Sequence, residues 1–180
     1  LSLIAGCMIA PPQPYAYAWQ SDAISLPPGV TLGNTHGCVD VANNGDVYLC
    51  TDSKPAIFVF DANGVFKKNI GEDLSGGLHG LEIVQEGDTE YLFVAHTAQH
   101  QVQKRSLDGD VLLSVAWPQE SGKYNSADEY APTSVTVLPD GRFMVADGYG
   151  KSWVHIYDAE GNWQSCFGGW GSEAGKFKTP

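Results

Sequence analysis

Positive charge is what this sequence has least of. Ten Lys and Arg stand against 21 Asp and Glu, for a formal charge of −11, and no basic run exceeds Lys67-Lys68 or Lys104-Arg105. Such a field repels a phosphate backbone, so nucleic acid is excluded as a partner. Long apolar runs are missing as well, and no stretch approaches the roughly 18 to 20 residues of a membrane-spanning helix. Helical periodicity is nowhere sustained. Four cysteines, none in a CxxC, do not build a dense disulfide framework. No HExxH, Gly-rich phosphate loop or Ser/His/Asp grouping is present. What remains is a 180-residue chain, 43% hydrophobic, long enough for one domain with a real core.

Three segments of that chain line up with one another, beginning at Thr35, Leu78 and Ala131. Each reads as four short strands. The first strand is Val39–Val41, Leu81–Ile83 or Val135–Val137, and a turn ending at Gly45, Gly87 or Gly141 leads to the second, at Val47–Cys50, Tyr91–Ala95 or Phe143–Ala146. The third is expected at Ile57–Phe60, Val102–Lys104 and Val154–Tyr157. Turns at Gly64, Gly109 and Gly161 open the fourth, at Val65–Ile70, Val111–Val115 and Trp163–Phe167. Four antiparallel strands repeated every ~40 to 50 residues predict β-propeller blades, over residues 35–71, 78–117 and 131–168, the longer spacing being absorbed by the polar insert Pro118–Tyr130. The fold class is therefore all-β. Residues 15–180 form a partial propeller, and residues 169–180 approach a fourth blade, as in the N-terminal half of a longer protein.

Within this frame a few residues stand out. Asp147-Gly148-Tyr149-Gly150 places a large aromatic between two glycines, where positive φ is expected of the glycines. If Asn43-Asn44-Gly45 is a hairpin turn, Cys38 falls opposite Cys50 and a cross-strand disulfide becomes possible in an oxidising compartment. In an up-and-down blade, the start of strand one and the loop from strand two to strand three share a rim. His36 and His79 open first strands, and Ser53, His96 and Tyr149 follow second strands, so all five are expected at one rim. His79 aligns with Thr133 and is the better metal-ligand candidate. His36, one residue earlier in the alignment, is expected to bind substrate or shape the turn. His96 aligns with Asp147 and should make similar loop hydrogen bonds, His100 and His155 are expected at the surface or between blades, and Trp153, Trp163 and Trp170 in blade packing.

The stretch from Pro132 to Phe177, and more loosely the other two units, resembles NHL repeats, which implies a propeller that is most often six-bladed. Among these, His79-Gly80-Leu81 and Asp147-Gly148-Tyr149 resemble the lyase half of peptidylglycine α-amidating enzymes, which cleaves peptidyl-α-hydroxyglycine to an amide and glyoxylate. The resemblance implies zinc on His79, a backbone metal contact at Leu81, calcium as a further metal, a catalytic Tyr149, and a small-molecule or peptide substrate. Two departures are visible. The family's disulfide beside that tyrosine has Gly150 and Tyr130 at its places, and its Asn-Ser-Arg loop is Lys151-Ser152-Trp153 here. Leu3-Ile4-Ala5-Gly6-Cys7 resembles a lipoprotein lipobox, and Pro11, Pro12 and Pro14 make an extended linker, so residues 1–14 are expected to be a leader remnant. These features imply a cell-envelope or extracellular location with at most an N-terminal lipid anchor, and a monomer at full length. The alternative function is a non-catalytic propeller that binds a protein or carbohydrate at the same rim.

Overall fold

The computed structural model describes residues 18, 20–36 and 38–180; the expected leader and linker lie outside them. Twelve strands follow one another: β1 (Val39–Val41), β2 (Val47–Cys50), β3 (Ile57–Phe60), β4 (Phe66–Ile70), β5 (Leu78–Glu86), β6 (Thr89–His96), β7 (Gln101–Ser106), β8 (Val111–Ala116), β9 (Ser134–Val137), β10 (Phe143–Ala146), β11 (Trp153–Tyr157) and β12 (Trp163–Gly168). They form three four-stranded antiparallel sheets in sequential order, β1 to β4, β5 to β8 and β9 to β12. This is the architecture of propeller-like blades. Among the described residues no helix is long and apolar enough to cross a membrane.

The turns explain why the strands begin where they do. Gly45 N–H donates to Ala42 O and Ala42 N–H to Asp46 O, which leaves Gly45 at φ 87°, a region that a Cβ disfavours. The same pair of bonds closes the turns ending at Gly64, Gly109, Gly141 and Gly161. The β1–β2 register pairs Val39 with Leu49 and Val41 with Val47, and Cys38 and Cys50 are disulfide-bonded across it with Cα atoms 5.6 Å apart.

Several boundaries differ from expectation, most by one or two residues, and two of them have a visible cause. β4 starts one residue late because Val65 forms a bridge with Ser25 instead. β5 starts three residues early, at Leu78, since its N-terminal end pairs with the extended β6 up to His96.

Side chains of facing sheets make the core. One cluster between the first two blades holds Cys50, Ile57, Val59, Leu78, Leu92 and Val94. A second, between the last two, holds Phe93, Val102, Val135, Phe143, Val145 and Tyr157, and it draws in Tyr124 and Tyr130 from the insert. Innermost strands also expose edge N–H groups that need partners. Asp40 supplies one, accepting from Ile83 N at 2.7 Å across the first interface. Trp170 departs from the packing expected of it and is 65% exposed.

Candidate functional site

His79 owes its position to an irregularity in the ladder. Leu78 pairs with His96 and Gly80 with Ala95, so His79 is the extra residue of a β-bulge, a device that re-aims a side chain. Gly80 then lets the third blade come close, because a Cβ there would lie 2.8 Å from Thr133 O and 3.0 Å from Ser134 Cα. The ring's Nδ1 consequently sits 2.9 Å from Thr133 O. A carbonyl only accepts, so Nδ1 carries the hydrogen and Nε2 presents a bare lone pair. Tyr149 Oη lies 3.0 Å from that Nε2 and therefore donates to it.

The two rings meet edge to face with centroids 4.9 Å apart. His36, itself exposed, stacks on the His79 ring with centroids 4.6 Å apart. These three rings, with Cys38, Leu81 and Thr133, line an open cavity of about 460 Å³. Sequence reasoning thus brought together His36, His79, Leu81 and Tyr149, with the disulfide's Cys38 beside them. The other two rim candidates, Ser53 and His96, stand at the second-strand ends where they are expected but turn inward. Ser53 hydrogen-bonds to Thr51 and the Pro55 carbonyl. His96 is buried and bonded to Leu74 O and Gln99 N, the loop bonds expected from its alignment with Asp147. Neither lines the cavity.

Gly148 and Gly150 also differ from expectation, since neither has positive φ; Ser152, at φ 61°, takes the left-handed turn of this loop. Lack of space explains the glycines. A Cβ on Gly148 would collide with Thr133 Oγ1, and one on Gly150 with the Asp147 carboxylate. That carboxylate, completely buried, accepts from Ala131 N at 2.8 Å, from Lys151 N at 2.5 Å and from Tyr124 Oη at 2.8 Å.

Sequence reasoning missed this network, and of the two places expected for His155 the structure shows the one between blades: the ring is buried against Tyr124 and Tyr130 of the insert. Its Nδ1 is 3.2 Å from Trp163 Nε1, an obligatory donor, so His155 is neutral with its hydrogen on Nε2. Nε2 in turn faces Tyr124 Oη at 2.7 Å. Hydrogen bonds therefore run one way, from Trp163 to His155 to Tyr124 to Asp147. Burial, with a smaller effect of the Lys123 charge, lowers the His155 pKa to about 4. Burial and then the Asp147 charge push the Tyr124 phenol far above its ordinary range, so it stays a donor. Nearby, Lys151 Nζ is paired with Glu129 at 2.5 Å, and that bond, with those from Asn125, holds the Glu129 carboxyl down at about 2. Two tyrosines inside an otherwise polar insert were the available signal for all of this.

No family model matches the chain. A Caenorhabditis elegans protein named as a probable peptidyl-alpha-hydroxyglycine alpha-amidating lyase is 32% identical over 101 residues, covering 53% of this chain and 28% of that protein. Among solved structures, a protein of unknown function from Bacteroides caccae superposes with a TM-score of 0.52 at 17% identity, over 79% of this chain and 48% of that one. One from Bacteroides fragilis, described as exported, gives 0.54 at 17% identity over 78% and 39%. The chain thus spans under a third of the curated relative and less than half of either solved structure. At that identity the structural likeness supports the fold alone: a propeller-like chain with partial similarity to an amidating-lyase-like protein.

Proposed function

We propose that the His79–Tyr149 rim belongs to a lyase-like active site acting on a small hydroxylated or peptide-like substrate, in an exported NHL-type propeller. The carrying observation is the 3.0 Å contact between Tyr149 Oη and a His79 Nε2 whose opposite nitrogen is anchored on a backbone carbonyl. The partial similarity to a lyase supports it. Cleaving an α-hydroxyglycine amide requires that the hydroxyl lose a proton, that the N–Cα bond break, and that the departing amide nitrogen gain a proton, leaving glyoxylate. Tyr149 Oη is exposed to the cavity and suited to take and return that proton. The Nε2 lone pair of His79 can hold either the Tyr149 proton or a metal ion.

Zinc, implied by the family resemblance, would supply Lewis-acid polarisation of the substrate oxygen when bound. An imidazole oriented through its other nitrogen is the arrangement a zinc ligand takes. His79 fits one ligand position, and no group of three His, Cys, Asp or Glu gathers among the described residues, so further ligands would come from elsewhere. Calcium at the Leu81 carbonyl is the corresponding structural proposal. Substrate-carboxylate recognition does not fall to Lys151, which is turned to Glu129. His36 is the proposed substrate contact, and its stacking on His79 supports that reading. The Cys38–Cys50 disulfide and the exported Bacteroides fragilis neighbour support a location outside the cytoplasm.

The test is glyoxylate release from an α-hydroxyglycine-extended peptide by the purified protein with zinc supplied. Tyr149→Phe should lower kcat by ~10²–10⁴-fold. Absence of turnover in the wild-type protein, or undiminished turnover in Tyr149→Phe, overturns the reading; peptide binding without turnover would identify a binding module.

A further inference from the structure

We propose that Asp147, oriented by Tyr124 and through it by His155, is the residue that positions Tyr149 against His79. Tyr149 is 62% exposed, so its own packing does not hold it. Its backbone N–H has one long bond, 3.3 Å to Ala131 O. The Asp147 carboxylate holds both sides of the contact. Through Oδ2 it binds Lys151 N and closes the loop that carries Tyr149. Through Oδ1 it binds Ala131 N, two residues before the Thr133 carbonyl that anchors His79 Nδ1. One buried group therefore sets the loop bearing the phenol and the segment bearing the imidazole's anchor at a fixed separation.

The carboxylate is itself oriented. Tyr124 Oη, already accepting from His155 Nε2, can give its only hydrogen to Asp147, and a bond onto an ionised acceptor is stronger than a neutral one. Trp163 fixes the tautomer at the far end. Tyr124 belongs to the insert between the second and third blades, so the longer spacing there acquires a purpose: it carries the donor that aims the carboxylate.

This inference rests on the reading that Tyr149 and His79 act together, and its test does not require turnover. Ring nitrogen NMR of His79 reports whether Nε2 accepts a hydrogen bond, with Tyr149→Phe giving the value when it does not. In Tyr124→Phe, the His79 Nε2 resonance should move more than halfway to the Tyr149→Phe value. Lys151→Met, which removes the Nζ contacts to Glu129, to the Lys123 carbonyl and to the Tyr124 ring but keeps the backbone N–H that Asp147 binds, should leave it in place. Should Tyr124→Phe fail to fold, the near-isosteric Asp147→Asn carries the same expectation. A folded Tyr124→Phe or Asp147→Asn with an unmoved His79 signal overturns the proposal, as does an equal shift in Lys151→Met. Where turnover is present, Tyr124→Phe should lower kcat by about 100-fold with KM little changed. A moved resonance in a protein without turnover would keep the positioning role and discard the lyase.

Discussion

The loops after β6 and β10 occupy the same place in successive blades, and each is closed by a buried polar residue at or just beyond the end of the second strand. In the middle blade that residue is His96, which accepts from Gln99 N and bonds to Leu74 O. In the last blade it is Asp147, with three donors. The first blade has Thr51, whose hydroxyl accepts from Ser53 N. A neutral cap suffices to turn the chain. The charged one reaches further, binding a neighbouring segment and a side chain from outside the blade, and its loop alone presents a side chain to the cavity.

The largest effect should separate the two caps. Asp147→Ala strands three donors, one buried and two part-buried, and should destabilise the full chain by about 4 kcal/mol, whereas His96→Ala loses two bonds and should cost about 2 kcal/mol. Urea unfolding of both variants decides this, and equal costs would remove the distinction. Reducing the Cys38–Cys50 disulfide, which joins residues 12 apart in sequence, should cost about 3 kcal/mol in thermal or urea unfolding with and without reductant. The bond sits in the first blade, whose loop has the lightest cap.

Acid should act mainly on the last blade. His155 is held at about 4 against an ordinary 6.5, so the folded state binds fewer protons than the unfolded chain between these values. Its contribution is complete above about 6.5 and is lost as pH falls through about 4, amounting to about 2 kcal/mol between pH 8 and pH 5. His155→Gln should flatten that part of the stability–pH curve. His96, also lowered by burial, contributes with the same sign, so the variant should reduce the slope and not abolish it.

Much of the fold was visible in the residues themselves. Turn glycines marked blade after blade, and the Asn43-Asn44-Gly45 turn set the register that joins Cys38 to Cys50. His36, His79 and Tyr149 were placed correctly because the topology of an up-and-down blade dictates which strand ends share a rim. Other features depend on tertiary contact and left weak local signals. The bulge at His79 follows from where Leu78 and Gly80 find partners on β6. Gly148 and Gly150 look like positive-φ residues, yet they are required by the atoms crowding them. Ser53 and His96 lie at the expected strand ends and turn inward, and a strand position alone does not fix which way a loop side chain points. The Trp163–His155–Tyr124–Asp147 line joins three parts of the last blade through Tyr124 of the insert, which lies 31 residues from His155 and 23 from Asp147, and none of its members announces the others.

The bulge bears on how such a site could change. His79 has no partner across the ladder, while Leu78 and Gly80 on either side keep theirs. It is a supernumerary residue in a strand already satisfied without it, so replacing its side chain leaves every cross-strand pair intact. The chemistry at this rim is thereby uncoupled from the pairing that builds the blade: the imidazole could be exchanged for another group, and the sheet would still assemble around the vacated place.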